Sequence, residues 1–145
     1  EKLAAMMRRM NICEERGSGI DRALTHIEIF QLPAPIFQSE KDFTRVIFFA
    51  YKSYKEMDRS DRVRACYQHA CLKWVCRDFM TNFSIRERMK IDAKNYPMAS
   101  RIIRDAIDEG MIKVSDPENR APRTVRPSGV LFQAAAAAVR NPATA

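Results

Sequence analysis

Residues 96–114 read YPMASRIIRDAIDEGMIKV. Pro97 suits a first helical turn, where a missing amide proton costs nothing. Ala99, Ile102, Ile103, Ala106 and Ile107 recur at three- and four-residue spacing and Gly110 closes the run, so the pattern predicts a helix with one apolar face and a glycine cap. Met111 to Val114 then reads as a strand, residues 115–122 as a loop and residues 123–126 as a returning strand.

Two more helices are predicted ahead of this unit. Ser84 stands three residues before Glu87, a capping-box spacing, and opens a short helix ending near Ile91, between turns at 81–83 and 92–95. Val63, Cys66, Tyr67, Ala70, Cys71 and Trp74 form an apolar stripe, which predicts a long helix from Asp61 to about Met80, capped by Ser60 or Asp61. Three helices followed by a β-hairpin is the winged-helix form of the helix-turn-helix.

The first fifty residues read differently. Leu3, Met6, Met7 and Met10 predict a short amphipathic helix that ends at Asn11, and Ile20, Ala23, Leu24, Ile27 and Phe30 predict a second. Leu32-Pro33-Ala34-Pro35 stops the second helix, because proline lacks the amide donor and biases its predecessor toward extended backbone. Ile36 and Phe37 begin a strand, and residues 43–51, rich in β-branched and aromatic side chains, predict a mostly buried partner strand across a turn at 39–42. The fold class is therefore α+β: an α-α-β-β unit over 1–52, a connector over 53–60, a winged helix over 61–126 and an Ala-rich tail over 127–145 without an assigned role.

The chain has 145 residues, 46% of them hydrophobic, enough for one ordinary domain or two small lobes. Its net charge is +7, which points to a polyanionic partner. Nine basic and eight acidic side chains lie in 1–57, against fifteen and ten in 58–127, so the surplus belongs to the second unit. None of the glycines Gly17, Gly19, Gly110 and Gly129 is followed by lysine, which excludes a phosphate-cradling GxxxxGK[ST] loop and with it a self-sufficient helicase motor. Residues 46–51 are the longest apolar run, far below the roughly 20 needed to span a bilayer, so no membrane is expected. A chain opening at Glu1 without an initiator Met reads as part of a longer protein. The four cysteines, Cys13, Cys66, Cys71 and Cys76, are read as free thiols in a reducing cytoplasm.

The predicted third helix carries the candidate site. Ser100, Arg101 and Arg104 lie away from its apolar face, with Lys94, Asn95 and Tyr96 at its entrance. Arginine forks suit guanine O6 and N7, while Ser, Asn and Lys suit phosphates, so double-stranded DNA is the expected partner. Lys113, Arg120, Arg123 and Arg126 on the hairpin would straddle a flanking backbone. An ordinary solvated face is the plainer alternative. Cys66, His69, Cys71 and Cys76 invite a metal reading, but positions five apart on a helix lie about 140° around its axis and cannot close a tetrahedron. They read instead as small hydrophobes beside a partly exposed histidine, and His26 as a similar lone histidine. No base stands paired with a cysteine, so no catalytic residue is assigned. Gly17, Ser18 and Gly19, directly before a helix, present backbone amides to an anion or simply make a tight turn.

The segments ICEERGSGIDRAL (12–24), FQLPAPIFQ (30–38) and FTRVIFF (43–49) closely resemble bacterial regulators related to the ATP-dependent DNA helicase RecG. MTNFSIRERMKIDAKNYPMASRIIRDAIDEGMIK (80–113) looks like that family's helix-turn-helix, so the resemblance spans roughly residues 1–126. In that family a Schlafen/Alba-type domain comes first, EERGSGI ends a GHKL-type ATPase-like domain, and a winged helix follows. The resemblance implies a transcriptional regulator in which the helicase name is inherited. It matches Gly17, Ser18 and Gly19 to a nucleotide turn and places ATP and Mg²⁺ in the longer protein, with no cofactor assigned to these residues alone. Two other functions stay open: a protein-interaction module that pairs with a second copy through Tyr67, Trp74 and Phe79, and part of a nucleotide-dependent enzyme.

Overall fold

The computed structural model describes residues 2–12, 19–39, 41–115 and 125–128. In chain order these form α1 (Lys2–Arg9), α2 (Gly19–Ile29), β1 (Ile36–Ser39), β2 (Thr44–Ile47), α3 (Arg59–Val75), α4 (Asn82–Met89), a 3-10 turn (Ala93–Asn95), α5 (Tyr96–Asp108), β3 (Ile112–Val114) and β4 (Val125–Pro127). The architecture is mixed, helices with two small antiparallel hairpins, β1–β2 and β3–β4. The predicted loop and first return residues at 116–124, the turn residues Gly17 and Ser18, and the tail from 129 onward lie outside the described residues.

All five helices end the same way. The residue after each last turn, Asn11, Gln31, Arg77, Lys90 or Gly110, takes a left-handed backbone with φ between 50° and 71°. In α3, for example, Arg77 N–H donates to Trp74 O at 3.0 Å and Asp78 N–H to Lys73 O at 2.8 Å, satisfying carbonyls the helix leaves over. Only α5 uses glycine there, which is why sequence signals caught that stop most clearly.

Several boundaries differ from those the sequence predicts. Asp58, not Ser60 or Asp61, caps α3, its carboxylate accepting from Asp61 N–H at 2.7 Å, and the helix ends at Val75 rather than near Met80. Thr81, not Ser84, caps α4: Thr81 Oγ1 accepts from Ser84 N–H and Ser84 Oγ from Thr81 N–H, a box that closes one turn earlier than the Ser84–Glu87 spacing suggests. The predicted buried strand over 43–51 pairs only over Thr44–Ile47 and is exposed, with Phe43 and Phe48 more than half accessible. Its hairpin neighbour β1 meets it in register Ile36 to Ile47, and no other strand among the described residues joins that sheet.

One core holds α3, α4, α5 and the second hairpin. Met80, Ile85, Ile112, Val63 and Val125 are its largest fully buried side chains. Small residues, Ala65 and Ala70 on α3 and Ala99 and Ala106 on α5, are buried in the same core, and α3 packs against α5. Met80 lies beside β4 as a one-residue bridge, with Val125 N–H donating to Met80 O at 3.0 Å. Ala34, from the Pro-Ala-Pro stop, and Met57, from the connector, belong to the same core, so the segment that ends α2 is packed onto the second unit.

Candidate nucleic-acid interface

The outer face of α5 is set by what its inner face buries. Ala99, Ile102, Ile103 and Ala106 point into the core, which turns Arg101 and Arg104 to solvent. Lys94, Asn95 and Tyr96 are exposed at the helix entrance, where Asp92 Oδ1 accepts from Lys94 N–H at 3.0 Å and fixes the 3-10 turn. Ser100 is half-buried, and its hydroxyl accepts from Asn82 Nδ2 at 2.9 Å, which ties the first turn of α4 to α5. Lys113 and Arg126 are exposed and face each other across the β3–β4 ladder. Arg120 and Arg123 lie outside the described residues.

Two of the three carboxylates at the end of α5 are directed elsewhere, and Asp108 stays exposed. Asp105 and Glu109 are held by Arg59 of α3 at 3.3 and 3.6 Å, on the flank of α5. Among the described residues no ion pair engages Lys94, Arg101, Arg104, Lys113 or Arg126, so their donors are free. Like charges directly opposite in a ladder are destabilising, and the Lys113–Arg126 pair therefore favours an anion between or beside the two side chains. The candidate residues of the helix entrance, helix face and hairpin thus share the third helix and its following strands.

Sequence reasoning missed three neighbours. Asn82 bridges to Ser100, Arg86 Nε donates to Asn82 Oδ1 at 3.0 Å, and the Arg86 guanidinium lies 5.5 Å from the Phe83 ring centroid. The signal was present as a polar start to α4, but the misplaced cap put Asn82 and Phe83 in a turn. Gly19 opens α2, and a side chain added there would meet nothing within 4 Å, so packing within the chain does not require glycine at that position.

His69, Cys66 and Cys71 are built into the packing, and Cys13 lies outside the described residues. His69 is buried, not partly exposed: its Nδ1 meets Glu28 and its Nε2 lies 3.0 Å from Ser84 Oγ. Ser84, His69 and Glu28 have the order of a hydrolytic triad, yet the serine hydroxyl is buried and engaged by Thr81 N–H and Thr81 O, leaving no approach for a substrate. Burial pushes the Cys66 thiol up to about 12, with Met80 Sδ at 3.8 Å, and burial pushes Cys71 up to about 11 against a lowering hydrogen bond from Tyr67. Such thiols are poor nucleophiles. Cys76 is exposed at the end of α3, and among the described residues no group of three His, Cys, Asp or Glu is placed to hold a metal. No helix of the described residues is long and apolar enough to cross a membrane.

A family model described as "Putative ATP-dependent DNA helicase recG C-terminal" matches residues 1–48. The match covers α1, α2 and the β1–β2 hairpin and ends before α3. No curated protein and no solved structure matches the chain.

Proposed function

We propose that residues 61–126 act as a winged helix that grips duplex DNA, as the DNA-binding module of a cytoplasmic transcriptional regulator whose residues 1–52 are the end of an ATPase-like domain. One observation carries this reading: Arg101 and Arg104 stand on the outer face of α5 without an ion pair among the described residues while Arg59 holds Asp105 and Glu109 to the side. Arg101 and Arg104 enter the major groove, Lys94, Asn95, Tyr96 and Ser100 position the helix entrance on phosphates, and Lys113 and Arg126 grip a flanking backbone with Arg120 and Arg123. No motor step is assigned. In the longer protein, Gly17, Ser18 and Gly19 contribute to a nucleotide turn for ATP and Mg²⁺, by resemblance to the family that matches residues 1–48.

Fluorescence anisotropy of the full chain against random-sequence duplex DNA at two salt concentrations tests the reading. Binding that weakens steeply as salt rises is expected, because phosphate contacts release counterions. Absence of binding at low salt would refute it.

A second reading is a dimerisation module. Trp74 and Phe79 stack edge to face at 6.0 Å between centroids and both stay exposed at the end of α3. This reading expects a molecular mass that grows with concentration in light scattering and no DNA binding at moderate salt.

A further inference from the structure

Between the α2 stop, the connector and the α4–α5 turn lies a cavity of about 310 Å³. That volume is at the small end of ligand pockets. Arg88 and Gln31 both line it, and each carries a polar atom closed off from solvent and without a partner, Arg88 Nη1 and Gln31 Oε1. The Arg88 side chain is only 2% exposed. Two of its nitrogens are engaged, Nε by Glu28 Oε2 at 2.6 Å and Nη2 by Leu32 O at 2.6 Å, so the guanidinium is fixed with the nitrogen Nη1 left over. A buried donor without a partner is costly, and a site that leaves one is short of an acceptor.

The rest of the lining agrees in charge and shape. Lys55 and Lys90 stand on it with no ion pair among the described residues, whereas Asp92 is turned to the Lys94 amide. Tyr51 and Met98 supply an aromatic and an apolar wall. We propose that this cavity binds a small organic anion, its carboxylate or phosphate head on Arg88 with Lys55 and Lys90 at the rim, its apolar body against Tyr51 and Met98, and a ligand N–H or O–H on Gln31 Oε1. Arg101 and Arg104 do not line the cavity, whereas Asn95, assigned to DNA phosphates above, stands at its edge.

The test uses the full chain and two probes, phenyl phosphate and inorganic phosphate, followed by ¹H–¹⁵N NMR. Phenyl phosphate is expected to give saturable shifts centred on Tyr51, Arg88 and Ile91, with a Kd at least about tenfold below that of inorganic phosphate. The K55E/K90E double variant reverses both rim charges without touching the Arg88 contacts, so it should keep the wild-type thermal melt and lose about tenfold or more in phenyl phosphate affinity. Three outcomes overturn the proposal: no saturation up to about 10 mM, equal affinity for the two probes, or unchanged affinity in K55E/K90E.

Discussion

Arg88 Nε on α4 donates to Glu28 Oε2 on α2 at 2.6 Å, across sixty residues of sequence. The same carboxylate meets His69 of α3, and Arg88 continues to Leu32 O. Gln31 Nε2 to Glu87 O at 3.4 Å and Arg64 Nε to Ala34 O at 3.2 Å run beside it. These contacts, with Ala34 in the common core, fasten the α2 stop onto α3 and α4.

Breaking this joint is expected to be expensive. Glu28→Ala leaves Arg88, 2% exposed, as a buried charge without its carboxylate, and should cost about 3–5 kcal/mol. Urea unfolding followed by circular dichroism would read the loss; a change under about 1 kcal/mol would mean that water replaces the carboxylate.

The same group sets an acid limit. Burial would raise the Glu28 pKa, but the His69 hydrogen bond and the Arg88 charge outweigh it and hold the carboxyl below its ordinary value of 4.5. Asp61 behaves likewise: burial raises it, and Lys52 and Arg64 bring it below 3.8. Below those values the unfolded chain binds protons that the folded chain resists, so both contributions are complete above about pH 5 and fade as pH falls through the lowered folded pKa values. A thermal melt series should be level between pH 5 and 7 as far as these groups govern it and fall at lower pH. Glu28→Gln should be less stable at pH 7 and show a shallower decline. A wild-type melt rising from pH 5 to 3 would contradict the assignment.

Much of this was legible beforehand, and the misses share a cause. The helices and both hairpins follow from apolar spacing, the Pro-Ala-Pro stop and Gly110. The caps failed because Asp58, Thr81 and Ser84 offered competing side-chain acceptors within a few residues, and only the fold selects which amides are left unpaired. His69 was misread as partly exposed because its partners Glu28 and Ser84 come from other helices, a relation no local pattern encodes. The strand at 43–51 looked buried by composition, but burial needs a covering layer, and among the described residues no apolar layer covers Phe43 or Phe48, and Phe43 has only the Arg45 guanidinium over its ring. Of the candidate residues, Arg101, Arg104, Lys113 and Arg126 are exposed, as their charge on an outward face predicts, whereas Asn82 depended on the correct cap.

DNA binding should respond to the two arginines together. R101A/R104A is expected to lose about 1–3 kcal/mol per specific contact in anisotropy titrations, with an unchanged melt because neither side chain has a partner among the described residues. Wild-type affinity in the double variant would remove this face from the interface.

Lys113 and Arg126 should show opposite signs in the two assays. Lys113→Ser relieves a like-charge cross-strand pair and should stabilise the free protein by about 0.2–1 kcal/mol. It should also weaken DNA binding similarly for all sequences and lower the salt slope by about one. Loss of stability with intact DNA binding would reverse the assignment.

Arg77 offers a stabilising change. Its φ of 59° lies in the left-handed region, where a side chain is strained and glycine is not. Arg77→Gly should gain about 0.5–1 kcal/mol after the extra freedom of the unfolded chain is counted, read as a rise in Tm. An equal or lower Tm would show that the Arg77 side chain contributes packing of its own.

The helix α4 is clamped at two places: Ser84 and Arg88 face His69 and Glu28, and Asn82 holds Ser100 on α5. It is therefore the mechanical link between the first fifty residues and the basic face. A tilt of α2 would drag α4 by its inner clamp and carry Asn82, and with it the start of α5, in the same direction, so the spacing of α4 and α5 is geared to the segment that ends at Leu32.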